Sequence, residues 1–208
     1  MPIISSKASM SAQAYGLFGV TAAPFGPVGA YDALATVTVP SGGASSITFS
    51  ALPQTGYSHL QVRYMAQDNR PSYAADDIQI YFNGDTTTSH YQSHRLYGFG
   101  NGSANADAPN GLSGVLAGYV YSSNGGLGSA FGAGVTDILD YTSTTKNKIT
   151  RTISGTDNNG GSGVNSGQVG ITSGLWNTTP VAINSLTIIP GNGTAFNQYS
   201  QFSLYGIK

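Results

Sequence analysis

From residue 33 onward the chain alternates apolar and polar positions in short segments, separated by clusters of Gly, Ser, Asn and Pro. Side chains of a strand point to opposite faces with a period of two, so this pattern predicts strands with one buried face. "SHLQVRYMA" (58–66) puts Leu60, Val62 and Tyr64 inward and His59, Gln61 and Arg63 outward. "DDIQIYFNGD" (76–85) aligns Ile78, Ile80 and Phe82 ahead of a tight turn at Asn83-Gly84-Asp85. Further strands are expected in "ALATVTV" (33–39), "SSITFSAL" (45–52), "HYQSHRLYGF" (90–99), "VLAGYVY" (115–121) and "AFGAGVTDILDY" (130–141). "VGITSGLW" (169–176), "VAINSLTII" (181–189) and "SQFSLYGI" (200–207) follow, the last expected to pair inside a sheet. "NKITRTISG" (147–155) aligns Ile149, Arg151 and Ile153, so Arg151 is expected either buried and paired or at a strand bend. Residues 100–114 and 157–167 carry no periodicity and read as loops. About ten short strands, no helix and no long-period repeat predict an all-β chain. The expected fold is a single jelly-roll-like antiparallel β-sandwich over residues 31–208.

Residues 1–30 follow a different pattern. "AYGLFGVTAAPFGPVGAY" (14–31) is apolar but broken by Gly16, Gly19, Pro24, Gly26 and Pro27. Only Lys7 precedes it as a basic residue, so it does not read as a secretory signal. The breakers exclude a long helix, and the irregular spacing excludes an amphipathic strand. Yet Tyr15, Leu17, Phe18 and Phe25 would each forgo roughly 1.5–3 kcal/mol of burial if left in water. An extended docking arm over residues 1–30, laid on a neighbouring subunit or a capsid floor, accounts for them.

Composition narrows the chemistry. The chain has no cysteine, which excludes disulfides and thiolate metal sites. Eight basic and nine acidic residues give a net charge of −1, no footprint for nucleic acid or an anionic membrane. No apolar run approaches the ~20 residues of a membrane span. All nine acidic residues are Asp, and charged residues make up only 8% of the chain. Such a surface must be kept soluble by neutral polar groups or be covered by neighbours.

No constellation reaches a catalytic or metal site, so no enzyme activity and no cofactor are expected. His90 and His94 on one strand face would stand about 13 Å apart, too far to chelate one ion. "DNNGGSG" (157–163) has the oxygen ligands and turn of half a calcium loop but lacks the closing bidentate acid. Asp76-Asp77 and Asp137/Asp140 read as structural ion-pair partners ahead of a glycosidase pair, the latter open either to holding an ion or to balancing Arg151. No G-x-S-x-G motif is present. Tyr91, Tyr97 and Trp176, with Tyr119 and Tyr121, are candidates for stacking on sugar faces, although aromatics in sandwiches mostly serve the core. Trp176, at a strand end, is expected to be at least half buried.

"SSITFSALPQTGYSHLQVRYMAQ", "IYFNGDTTTSHYQSHRLYG", "DILDYTSTTKNKITRTISGTDN", "SGLWNTTPVAINSLTIIPG" and "FNQYSQFSLYGIK" resemble a group of virion structural proteins of tailed bacteriophages, many from cyanobacterial and marine hosts. The resemblance spans roughly residues 31–208, and "AYGLFG" is similar to a short element that often precedes this domain. It implies a β-sandwich displayed on the virion, as a capsid decoration (cement) protein or as part of the tail or a fibre. It carries over no catalytic residue. The short arm, with neither heptads nor β-helical repeats, favours decoration. A tail or fibre component and a receptor-directed carbohydrate-binding module are the alternatives. Expected partners are phage capsid or tail proteins, identical copies in a homotrimer by analogy with phage decoration proteins, and host-surface carbohydrate.

Overall fold

The computed structural model describes residues 29–123, 129–157 and 167–208. The arm residues Tyr15, Leu17, Phe18 and Phe25, and the glycines of the calcium-like loop, lie outside them. Residues 31–208 form one compact unit, all-β and sandwich-like. Twelve strands are described: β1 (Tyr31–Thr38), β2 (Ile47–Phe49), β3 (His59–Asp68), β4 (Ala75–Phe82), β5 (Tyr91–Phe99), β6 (Ala104–Asp107), β7 (Val115–Ser122), β8 (Gly132–Leu139), β9 (Lys148–Thr156), β10 (Gln168–Trp176), β11 (Leu186–Pro190) and β12 (Gln201–Ile207). Two differences from the sequence expectation stand out. The 100–114 segment contains the short edge strand β6, all four residues exposed, which periodicity cannot reveal. His90 closes a 3₁₀ turn (Thr88–His90) ahead of β5 instead of lying in it.

The smaller sheet runs β2-β11-β4-β7, and the larger β1-β12-β3-β8-β9-β10-β5-β6. Partners are nested: β5–β6 lies inside β4–β7, inside β3–β8, inside β2–β11. Successive pairs fall in alternate sheets, which is the rolled-ladder topology of a jelly roll. The meander β8-β9-β10 broadens one layer, and β12 lies between β1 and β3. One departure from an all-antiparallel sandwich joins the layers: Gln67 and Asp68 of β3 pair in parallel with Tyr121 and Ser122 of β7.

The core has two zones. Around β2, β3, β4, β11 and β12 it is aliphatic and aromatic, with Leu60, Val62, Ile80, Phe82, Leu186 and Phe202 all essentially inaccessible. Phe202 packs on Phe196 at 4.8 Å between ring centroids. Where β7 lies over β8, β9, β10 and β5, the larger sheet instead turns inward Gly134, Thr136, Thr150, Thr152, Ser154, Thr172 and Ser93.

The reason lies in β7, every residue of which is buried. Strand β4 pairs one edge of it, but the other edge meets β3 only at Tyr121 and Ser122. A bulge opposite Ile78, with Gly118 at φ 96°, disturbs the strand further. The free backbone groups find hydroxyls of the opposite sheet: Leu116 N–H donates to Ser93 Oγ at 3.0 Å and Tyr119 N–H to Ser154 Oγ at 3.1 Å. Tyr64 Oη reaches the carbonyls of Ala117 and Tyr119, each at 3.1 Å. Glycines make room for this contact. A Cβ at Gly118 would fall 2.5 Å from Tyr64 Oη, and one at Gly134 even closer to the same side chain.

Burying an unpaired backbone group costs about 1–3 kcal/mol. Tyr64→Phe and Ser154→Ala are therefore each expected to lower stability by about that much. Gly118→Ala, which combines a clash with a strained φ, should cost more than either. Thermal and denaturant melts of the three variants check the order.

Candidate interaction face and aromatic cleft

The hydroxyl-lined interior has a counterpart outside. Around Gly134 of β8, Thr152–Ser154 of β9 and Gly170–Thr172 of β10, the period-two alternation sends small and polar residues in and aliphatic residues out. Strand register then lines the latter up. One row across the outer surface reads Val135, Ile153, Ile171, Leu96 and Ala106, from β8 to β6. The next reads Met65, Ala133, Gly155, Val169, Gly98 and Ala104, from β3 to β6. Ile153, Ile171, Val169 and Leu96 are each about 60% exposed. From β8 to β6 neither row contains a charged residue.

Arg151 belongs to the row beside these, between Asp137 and Ser173. It is exposed, and its Nη2 lies 3.8 Å from Asp137 Oδ2. The expectation of a buried or strand-bend arginine is corrected: the face shared by Ile149, Arg151 and Ile153 is the outer one. Lys148 is the buried cation of β9, its Nζ donating to the carbonyls of Ser143 and Lys146 at 2.6 and 2.8 Å.

Two of the three sugar-stacking candidates are core residues, which corrects the role expected of them. Tyr91 and Trp176 are each only 3% exposed, leaving no ring face for a ligand. Both are held by Asp85, just beyond the Asn83-Gly84 turn. Trp176 Nε1 donates to Asp85 Oδ2 at 2.8 Å, and Tyr91 Oη donates to the Asp85 carbonyl at 2.8 Å. His90 Nδ1 stands 2.7 Å from the same carboxylate oxygen, on a residue unconnected with His94. Partial burial raises the Asp85 pKa, but hydrogen bonds from Trp176, His90 and Thr87 outweigh it and hold the carboxylate well below its ordinary range.

Tyr97, the third candidate, lines an open cleft of about 200 Å³ between β5 and the β4–β7 pair, with Tyr73 and Tyr119. Its ring meets Phe99 edge-on at 5.4 Å, and the Arg95 guanidinium lies 4.8 Å from its centroid. Arg95 is bidentate to Asp107 at 2.7 and 3.0 Å and also bonds Asp77 at 2.9 Å. The cleft's charges thus serve to clamp the β5–β6 edge to β4.

Asp76 behaves as the structural ion-pair partner that the sequence suggests. Its buried carboxylate accepts from Arg70 Nη1, Asp77 N–H, Asn192 N–H, Asn192 Nδ2 and Gly193 N–H, all within 3.1 Å. Asp68 sits beside it, fully buried, and is pushed up to about 8 by desolvation first and then by the Asp76 carboxylate. Asp76 itself is lowered: burial opposes this, but hydrogen bonds from Asp68, Asn192 and Gly193 prevail. Of the two carboxyls, Asp68 is the one held protonated and Asp76 the one held ionised. No group of three or more His, Asp or Glu residues that could hold a metal occurs among the described residues.

The outer face is the feature that sequence reasoning missed. Its signal was the pairing of aliphatic positions with a Gly/Thr/Ser face in "KITRTISG" and "VGITSG", where the small face is the inward one. No protein-family model and no curated protein matches the chain.

Asp68 has a folded pKa above its unfolded value, so its protonated form stabilises the fold at acid pH. That contribution is lost as pH rises from about 4 through about 8. Asp76 works in the opposite sense, and only below its ordinary value of 3.8. The melting temperature should fall between pH 5 and 9, and Asp68→Asn should flatten that fall. At Asp85, alanine leaves the indole N–H unpaired and should cost about 1–3 kcal/mol. The emission of the single tryptophan, shielded from iodide in the native protein, should shift with it.

Proposed function

We propose that this chain is a structural protein of a phage virion, a capsid decoration protein held to the particle through residues 1–30. The observation that carries the reading is the outer apolar face of a rigid jelly roll. A free monomer rarely exposes a contiguous apolar surface of this kind, whereas a subunit of an assembly covers it. Several features agree with a subunit that is packed and not catalytic. Charged residues are 8% of the chain. Its buried carboxylates bind backbone and arginine, and the aromatic cleft is clamped by its own ion pairs. The motif resemblance points to the same class. Anchoring is assigned to Tyr15, Leu17, Phe18 and Phe25, whose burial at roughly 1.5–3 kcal/mol apiece is the driving force for docking.

Imaging of labelled virions from the phage that encodes the chain tests the assignment. Label spread over the capsid is expected, and label confined to one vertex would move the protein to the tail. Deleting residues 1–30 should leave the melting temperature of the sandwich within a few degrees and abolish retention on particles. Leu17→Asp with Phe18→Asp should reproduce that loss. Full occupancy by the truncated chain would overturn the arm as anchor.

A further inference from the structure

We propose that the outer face of β8, β9, β10 and β5 is an interface with a second copy of this chain, the two sheets packing face to face about a twofold axis. The face is large enough for the purpose. Five interstrand spacings of about 4.8 Å from β3 to β6 make it about 24 Å wide, and six residues along each strand make it about 20 Å tall. That planar footprint of about 480 Å², enlarged by the relief of its side chains, is the size of a weak, concentration-dependent interface, which buries under about 600 Å² per partner.

Its relief is self-complementary. Ile153 and Val169 form a ridge between two shallow depressions. One depression opens over Ala133 and Gly155, where side chains are minimal, and the other over Gly98 and Ala104. Sheets that pack face to face need such alternation to approach about 10 Å. The ridge of one copy has the depressions of the other to enter.

The chemistry also fits a like partner. The charged pair on the neighbouring row, Asp137 and Arg151, is internally neutral, and Arg63, at the β3 end of the Val135 row beside one depression, turns its guanidinium over the Tyr31 and Tyr205 rings. A head-to-tail ring would need a second apolar patch to receive this one. Of the remaining large apolar residues exposed among the described residues, Ile149 lies on this same face beyond Arg151, and Tyr31, Tyr73, Val181 and Tyr199 do not form such a row. An isologous pair needs only the one face. This replaces the threefold expectation with a twofold one, and it holds whether or not the protein is a virion component.

The full chain contains no cysteine, so Val169→Cys gives a single reporter thiol. Sedimentation equilibrium from the low-micromolar to the hundred-micromolar range should give a mass twice the 21.4 kDa of one chain. Maleimide labelling of the thiol should be fast at the dilute end and suppressed at the concentrated end. Ile153→Asp and Ile171→Asp, both at exposed positions, should each weaken association about 100-fold while leaving the melt of the dilute protein unchanged. Should either variant fail to fold, the thiol protection in the single-cysteine chain decides alone. A dimer that the substitutions do not weaken, a trimer, or a thiol that stays reactive in the dimer would overturn the proposal. So would a monomer throughout: a protected thiol would then hand the face to residues 1–28 of the same chain, and a reactive one to a different protein. Imaging of virions decides the location of the protein and is unaffected by either result.

Discussion

A strand edge buried inside a protein must still have its backbone groups bonded, and that constraint at β7 organises this sandwich. Water cannot reach Leu116–Val120, and among the described residues no strand lies beside that edge. Ser93, Ser154 and Tyr64 supply the missing donors and acceptors from across the core. The substitution of side-chain hydroxyls for a missing strand fixes the spacing between the layers. It also requires glycine wherever the Tyr64 ring or the bulge comes closest.

A strand has two faces, so a polar inner face on β9 and β10 leaves the outer one to carry the aliphatic residues. Ile153, Ile171 and Val169 lie outside because the positions between them are committed to hydroxyls and glycines facing β7. The inversion of the usual inside-apolar pattern is thus local and has a local cause. Along β3, where the opposite layer is aliphatic and aromatic, the ordinary pattern holds, with Leu60 and Val62 in and Arg63 out. Structure at one surface of the sheet therefore sets the chemistry exposed at the other.

Much of the fold was legible because strong alternation marks a half-buried strand whatever the topology. Ile78, Ile80 and Phe82, or Leu60, Val62 and Tyr64, are read correctly from spacing alone. The β6 strand was not, since an exposed edge strand has no apolar face to reveal it. Arg151 and its isoleucine neighbours were misplaced for a physical reason: periodicity says which residues share a face, and only the opposing layer decides which face is inside. Tyr91 and Trp176 raise the same difficulty. An aromatic with a polar handle suits a ligand site and a core equally, and it took Asp85, distant in sequence from Trp176, to settle the matter.

The position of β12 bears on the order in which the chain can fold. Residues 201–207 occupy the slot between β1 and β3, so β1 has no sheet to join until they arrive. The nested pairs inside them can close progressively, each shortening the loop that the next must span. Contacts of such long range make folding slow, in the millisecond-to-second regime. During synthesis β1 waits as a free strand while more than a hundred residues follow it, and it is sealed only once β12 has been made. The first strand of the sandwich is thereby the last to be fixed, and until then its free edge has only water to satisfy it.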